Sequence, residues 1–67
     1  MPRLQIGKML KERREGLGLT REQLARKAKV TTAYVSMMEA GKRKNPSLDV
    51  LRKLAKALGV PVTELLG

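Results

Sequence analysis

Residues that stop or start helices recur along this chain about every ten positions, a spacing that restricts it to short helices. Gly16, Gly18, Gly41, Pro46, Gly59 and Pro61 punctuate it, and Thr20, Thr31 and Ser47 stand where N-caps belong. Between these marks apolar residues fall three and four apart, and no stretch alternates cleanly enough to read as a strand. The chain has 67 residues, with neither Cys nor His. Disulfides, zinc sites, haem attachment and thiol redox chemistry are therefore excluded. A chain this short buries only about 60% of the surface its unfolded form exposes. One apolar core must hold residues 1–67 as a single domain, and a 42% hydrophobic content can supply it.

The first helix is expected from about Leu4 to Glu15, with Ile6, Met9 and Leu10 as its stripe and Leu17 and Leu19 pointing inward beyond it. Thr20 and Gln23 have the spacing of a capping box, and Leu19 and Leu24 that of a hydrophobic staple. The second helix should end near Ala28, with Leu24, Ala25 and Ala28 forming a small-residue inner face. Thr31 then caps a third helix over Thr32–Ala40, placing Val35 and Met38 inward and Thr32, Ala33, Ser36 and Met37 outward. Ser47 caps a fourth over Leu48–Leu58, whose stripe is Leu48, Leu51, Leu54, Ala55 and Leu58. Pro61 opens a short fifth helix carrying Val62, Leu65 and Leu66. The expected fold is all-α, five helices around one core, with little room for a cleft.

Fifteen Lys and Arg against six Asp and Glu give a net charge of +9. A balance this basic favours nucleic acid as partner over anionic membrane or acidic protein. Tyr34 is the single aromatic, which argues against modules that stack bases on aromatic platforms. No apolar run is long enough to span a membrane and no secretory signal is visible, so the reading is cytoplasmic, with no membrane partner. The acids are scattered, and no nucleophile–base pair or phosphate loop is present. The expectation is no enzyme, no catalytic residue, no metal and no cofactor.

Residues 21–40 hold a short helix, a brief turn and a second short helix, with Ala25 where the two would cross. That is a helix-turn-helix pattern, in which the second helix enters the DNA major groove. Lys42, Arg43 and Lys44 follow that helix directly and are read as phosphate contacts, while Tyr34 either packs at the helix edge or offers its hydroxyl to a phosphate. The runs Leu19-Thr20-Arg21-Glu22-Gln23-Leu24-Ala25, Val35-Ser36 with Glu39-Ala40-Gly41-Lys42, Pro46-Ser47-Leu48, and Leu54-Ala55-Lys56-Ala57-Leu58-Gly59-Val60 resemble the lambdoid-repressor and Cro family, also called XRE-type helix-turn-helix. The resemblance extends from Ile6 to Leu66 and implies a five-helix, lambda-repressor-like DNA-binding domain acting as a repressor-like transcriptional regulator. It implies double-stranded DNA with a palindromic or pseudo-palindromic operator as partner, read by a recognition helix over about residues 32–40 in a protein that is dimeric on DNA. By family position Thr31, Thr32, Ala33, Ser36 and Met37 face bases, and Arg21 faces a phosphate. Arg14 and Glu39 match positions that form an internal ion pair. Lys29 stands where the family's turn usually carries Gly. The apolar fifth helix, with Val60, Val62, Leu65 and Leu66, has more hydrophobic surface than one thin core can use and is expected to meet a second subunit. Three narrower or different roles stay open: an antitoxin, a controller protein regulating its own operon, and a protein-bridging module of the same fold.

Overall fold

Side-chain caps open three of the helices. In the computed structural model, which describes residues 6–42 and 46–66, these are α2 (Arg21–Ala28), α3 (Thr32–Glu39) and α4 (Leu48–Leu58); α1 (Ile6–Gly16) precedes them and α5 (Val62–Leu66) follows. Thr20 is extended, its Oγ1 accepting from the Gln23 N–H at 3.0 Å while the Thr20 N–H donates to Gln23 Oε1 at 2.8 Å. Thr31 and Ser47 each accept from the backbone three residues on, at 3.0 Å and 3.2 Å. Each such cap stabilises its helix by about 1 kcal/mol.

α2 and α4 end alike. Gly59 adopts φ 70°, and the Val60 N–H turns back to the Ala55 carbonyl at 3.0 Å. Lys29 adopts φ 59°, and the Val30 N–H reaches the Ala25 carbonyl at 2.9 Å. This is the left-handed helix stop that glycine adopts freely and a lysine does not. Lys29→Gly removes a strain of roughly 1 kcal/mol, partly offset by about 0.4–1 kcal/mol of added unfolded-chain entropy. A thermal melt should therefore rise by a few degrees at most; a fall would show that the lysine stem contributes packing there.

The helices enclose one core. α1 packs on α3 and α5, α2 on α3 and α4, and α4 on α5. Leu10, Leu24, Val35, Met38, Leu54 and Leu65 are fully buried at its centre, with Ala25 and Ala28 allowing α2 to lie close to its neighbours. Gly7 has a similar use: a Cβ there would collide with the Met38 carbonyl oxygen, so its bare backbone sets how near α1 comes to α3.

Several expectations need correcting. Leu17 is 55% exposed, not inward. The chain leaves α1 at this point, and the inner place at that end of the helix is taken by the side chain of Arg14, which is buried. Leu48 is 52% exposed, because it sits at the tip of α4 one turn ahead of Leu51, the first buried residue of that helix. α1 runs one residue further than expected, through Gly16, and α3 one fewer, with Ala40 as its C-cap; Leu4 lies outside the described residues. Finally, Leu65, expected at a subunit contact, is fully buried in the protomer's own core, against which Val60 and Val62 also pack.

Candidate nucleic-acid interface

Burial of Val35 and Met38 sets the rotation of α3. At 3.6 residues per turn, Ala33 then stands opposite that pair, with Thr32 and Met37 on the flanks of the outer face. Thr32, Ala33 and Met37 are exposed and Ser36 half-buried on this outer face, and Thr31 is exposed at the N-cap that opens it. Tyr34 lies at the edge, half-buried against the core, its N–H held by the Thr31 cap. After Ala40 the chain turns sharply: the Gly41 N–H bonds the Met38 carbonyl at 3.1 Å and the Lys42 N–H that of Met37 at 2.9 Å. Lys42 is thereby fixed at the end of α3 with its side chain exposed; Arg43 and Lys44 lie outside the described residues.

Behind this face is an ionic cluster of Arg14, Glu39 and Arg21, with Glu15 at its exposed edge, 3.9 Å from Arg14 Nη2. Arg14 reaches from α1 and grips Glu39 with both arms of its fork, Nε to Oε2 at 2.7 Å and Nη2 to Oε1 at 3.0 Å, while its Nη1 donates to the Leu19 carbonyl at 2.7 Å. Arg21, the first residue of α2, adds an Nε bond to Glu39 Oε1 at 3.1 Å. The Glu39 side chain is only 2% exposed. It is also the last residue of α3, where the partial negative charge of the helix end disfavours a carboxylate. Burial pushes its carboxyl up, but the hydrogen bonds and charges of the two arginines prevail and hold it below the usual carboxylate range. Arg14 is raised in turn, chiefly by its hydrogen bond to Glu39. The cluster ties the C-terminal ends of α1 and α3 to the start of α2.

The predicted Arg14–Glu39 pair is therefore present and buried. The third member was missed: the resemblance assigns Arg21 to a phosphate alone. Its signal was that Glu39 is the sole acid between Glu22 and Asp49. The Arg21 side chain is 49% exposed, and its terminal nitrogens make no hydrogen bond among the described residues. It is anchored at Nε and open at its end. Among the described residues no group of three or more potential metal ligands occurs, and no helix is long and apolar enough to cross a membrane.

Comparison with known proteins gives a consistent result. A helix-turn-helix family model matches residues 10–65. The transcriptional regulator SinR of Bacillus subtilis (strain 168) is 38% identical over 61 residues, covering 91% of this chain and 55% of SinR. A crystal structure of SinR in complex with DNA matches with a TM-score of 0.89 and 37% identity, over 92% of this chain and 98% of that one. The restriction-modification controller protein C.AhdI from Aeromonas hydrophila matches with a TM-score of 0.87 and 39% identity, over 92% of both chains. The immunity repressor of Bacillus phage phi105 is 39% identical over 62 residues, covering 92% of this chain and 42% of the repressor. The chain spans about half the length of these curated relatives.

Proposed function

Because the chain belongs to the helix-turn-helix family, we propose that it binds double-stranded DNA sequence-specifically and regulates transcription, with α3 in the major groove. The observation that carries this reading is the outer face of α3. It presents Thr32, Ala33 and Met37 opposite a buried Val35–Met38 anchor, with Thr31 exposed at its N-cap and Arg21 and Lys42 both at its C-terminal end. A helix about 10–12 Å across fits a groove about 12 Å wide. Arg21 is the best-placed phosphate contact, since its Nε bond to Glu39 orients the guanidinium while its free end stays exposed. Lys42, Arg43, Lys44 and the Tyr34 hydroxyl complete the set. SinR has a similar structure and has been crystallised with DNA, and the phage protein is a repressor by name. The role is one of binding and not catalysis, in the cytoplasm.

None of the outer-face side chains forks to a base pair as Arg, Gln or Asn does. Ala33, Met37 and the threonine methyls offer apolar contact, so the inner half-site should carry thymine methyls toward α3, and discrimination per base should be modest. Specificity then requires a two-fold dimer on a palindromic or pseudo-palindromic operator, the half-sites one helical turn apart. The loop before α5 and the outer side of α5 supply the contact, with Val60 and Val62 half-buried there. The likeness to C.AhdI, a restriction-modification controller protein, supports a controller regulating its own operon as the narrower role.

Anisotropy titrations on duplex DNA test the reading. Replacing thymine by deoxyuridine should weaken binding at one or two half-site positions, each by roughly fourfold for about 0.8 kcal/mol of methyl contact. Affinity should fall with salt by about 0.9 log units per phosphate neutralised, and Lys42→Ala/Arg43→Ala/Lys44→Ala should flatten that slope. If every uracil is neutral, Met37→Ala and Thr32→Ala do nothing and the slope is unchanged, the surface reads no DNA and a protein-bridging role replaces this one.

A further inference from the structure

Away from α3, the C-terminal end of α2 and the C-terminal half of α4 enclose an open groove of about 490 Å³. Its rim is Lys27, Lys29, Lys53 and Lys56, and Ala28 and Ala57 form its floor. All four lysines are exposed. Lys53 has an exposed partner, Asp49, at 3.4 Å; the other three make no ion pair among the described residues. The helix ends account for part of this arrangement, because Lys27, Lys29 and Lys56 lie near C-termini whose carbonyls favour cations. Lys53 lies mid-helix with Asp49 one turn before it as an i,i+4 partner, so it adds less free charge to the rim than the other three.

No residue of α3, nor Lys42, lines the groove. α2 packs against both α3 and α4, and with helix axes 8–10 Å apart its seam with α4 lies about one helix spacing from its seam with α3. The groove therefore lies on a different seam of α2 from the one that α3 occupies.

We propose that the α2–α4 groove docks an acidic segment of a partner protein, with spaced Glu or Asp side chains meeting the four lysines and a small aliphatic side chain covering Ala57, beside which Ala28 is already buried. Lysine ammoniums are compact point charges, each able to take a separate carboxylate. The alanine floor offers nothing to a phosphodiester backbone but seats a Leu or Val side chain. The groove also lacks an aromatic or polar floor group that would orient a nucleobase or sugar. Bringing in carboxylates relieves the mutual repulsion of the lysines, and that relief is the gain that draws the partner. This inference is independent of base reading by α3.

Amide NMR titration of the whole chain decides it, with a peptide of alternating Glu and Leu as probe. The peptide should shift the amides of Lys27, Lys29, Lys53 and Ala57 equally in the free protein and on duplex. Lys27→Ala/Lys56→Ala should weaken it about tenfold, and so should Ala57→Gln, which fills the floor without changing charge. Both variants should bind duplex within about twofold of the parent chain and melt as it does. Peptide shifts confined to α3 and Lys42 would overturn the proposal. So would poly-Glu binding as tightly as the Leu-containing peptide, or inorganic triphosphate holding the groove where the peptide does not. An equal loss of duplex affinity in Lys27→Ala/Lys56→Ala would assign the groove to DNA instead.

Discussion

Glu39→Ala should destabilise the protein by about 3–5 kcal/mol, because it leaves the Arg14 guanidinium buried without its bidentate partner. Small domains have total stabilities of order 5–15 kcal/mol, and this chain is at the short end. The variant should therefore melt tens of degrees lower, or be substantially unfolded at growth temperature. Arg21→Ala removes only the exposed arm of the cluster and should cost less than about 1 kcal/mol, while Arg14 and Glu39 stay paired. The contrast separates a buried anchor from a surface pair. Acid should act on the same site. The folded carboxyl of Glu39 is held below its ordinary value, so its stabilisation is complete above the unfolded pKa, about 4.3. It is lost as pH falls through the depressed folded value. Urea melts on either side of pH 4 should show the parent chain losing this increment and Glu39→Gln lacking it. A Glu39→Ala melt within about 1 kcal/mol of the parent would remove the cluster from the stability account.

Gly7→Ala should have the second-largest effect, with a sign opposite to helix propensity. Alanine is favoured over glycine inside a helix by about 1 kcal/mol. At Gly7, however, the added Cβ meets the Met38 carbonyl oxygen, a backbone atom that no rotamer change can move. α1 must shift away from α3, loosening the packing of Ile6 and Leu10 at a cost of about 1–3 kcal/mol or more, and the net effect is destabilising. Gly16 is the control. It ends the same helix and a Cβ there meets nothing within 4 Å, so Gly16→Ala should stabilise by up to about 1 kcal/mol. Chemical denaturation of the two variants side by side reads the difference, and Gly7→Ala equal to Gly16→Ala would mean that the α1–α3 approach is not close.

What the residues determined unaided is what forms within one helical turn. Thr20, Thr31 and Ser47 cap helices because a short hydroxyl side chain reaches the N–H three residues on whatever lies elsewhere, so helix starts could be read residue by residue. The outward face of α3 is local in the same way, once Val35 and Met38 are taken as its anchor, whereas the left-handed stop at Lys29 was pointed to by likeness to a family. The Arg14–Glu39 pair was found by likeness to a family, not by spacing.

The tertiary structure decided everything that depends on which neighbour stands across a gap. Leu17 and Leu48 have apolar side chains at plausible positions, yet no helix among the described residues lies over them. Leu65 reads as a spare hydrophobe until α1 and α4 close around α5. Arg21 found Glu39, eighteen residues away, because the α2–α3 crossing brings them together. Lys27 and Lys29 meet Lys53 and Lys56 for the same reason, across the α2–α4 seam. A capping hydroxyl needs only its own chain to fix its partner; a buried leucine, a second arginine or a lysine rim has its partner chosen by how the helices pack.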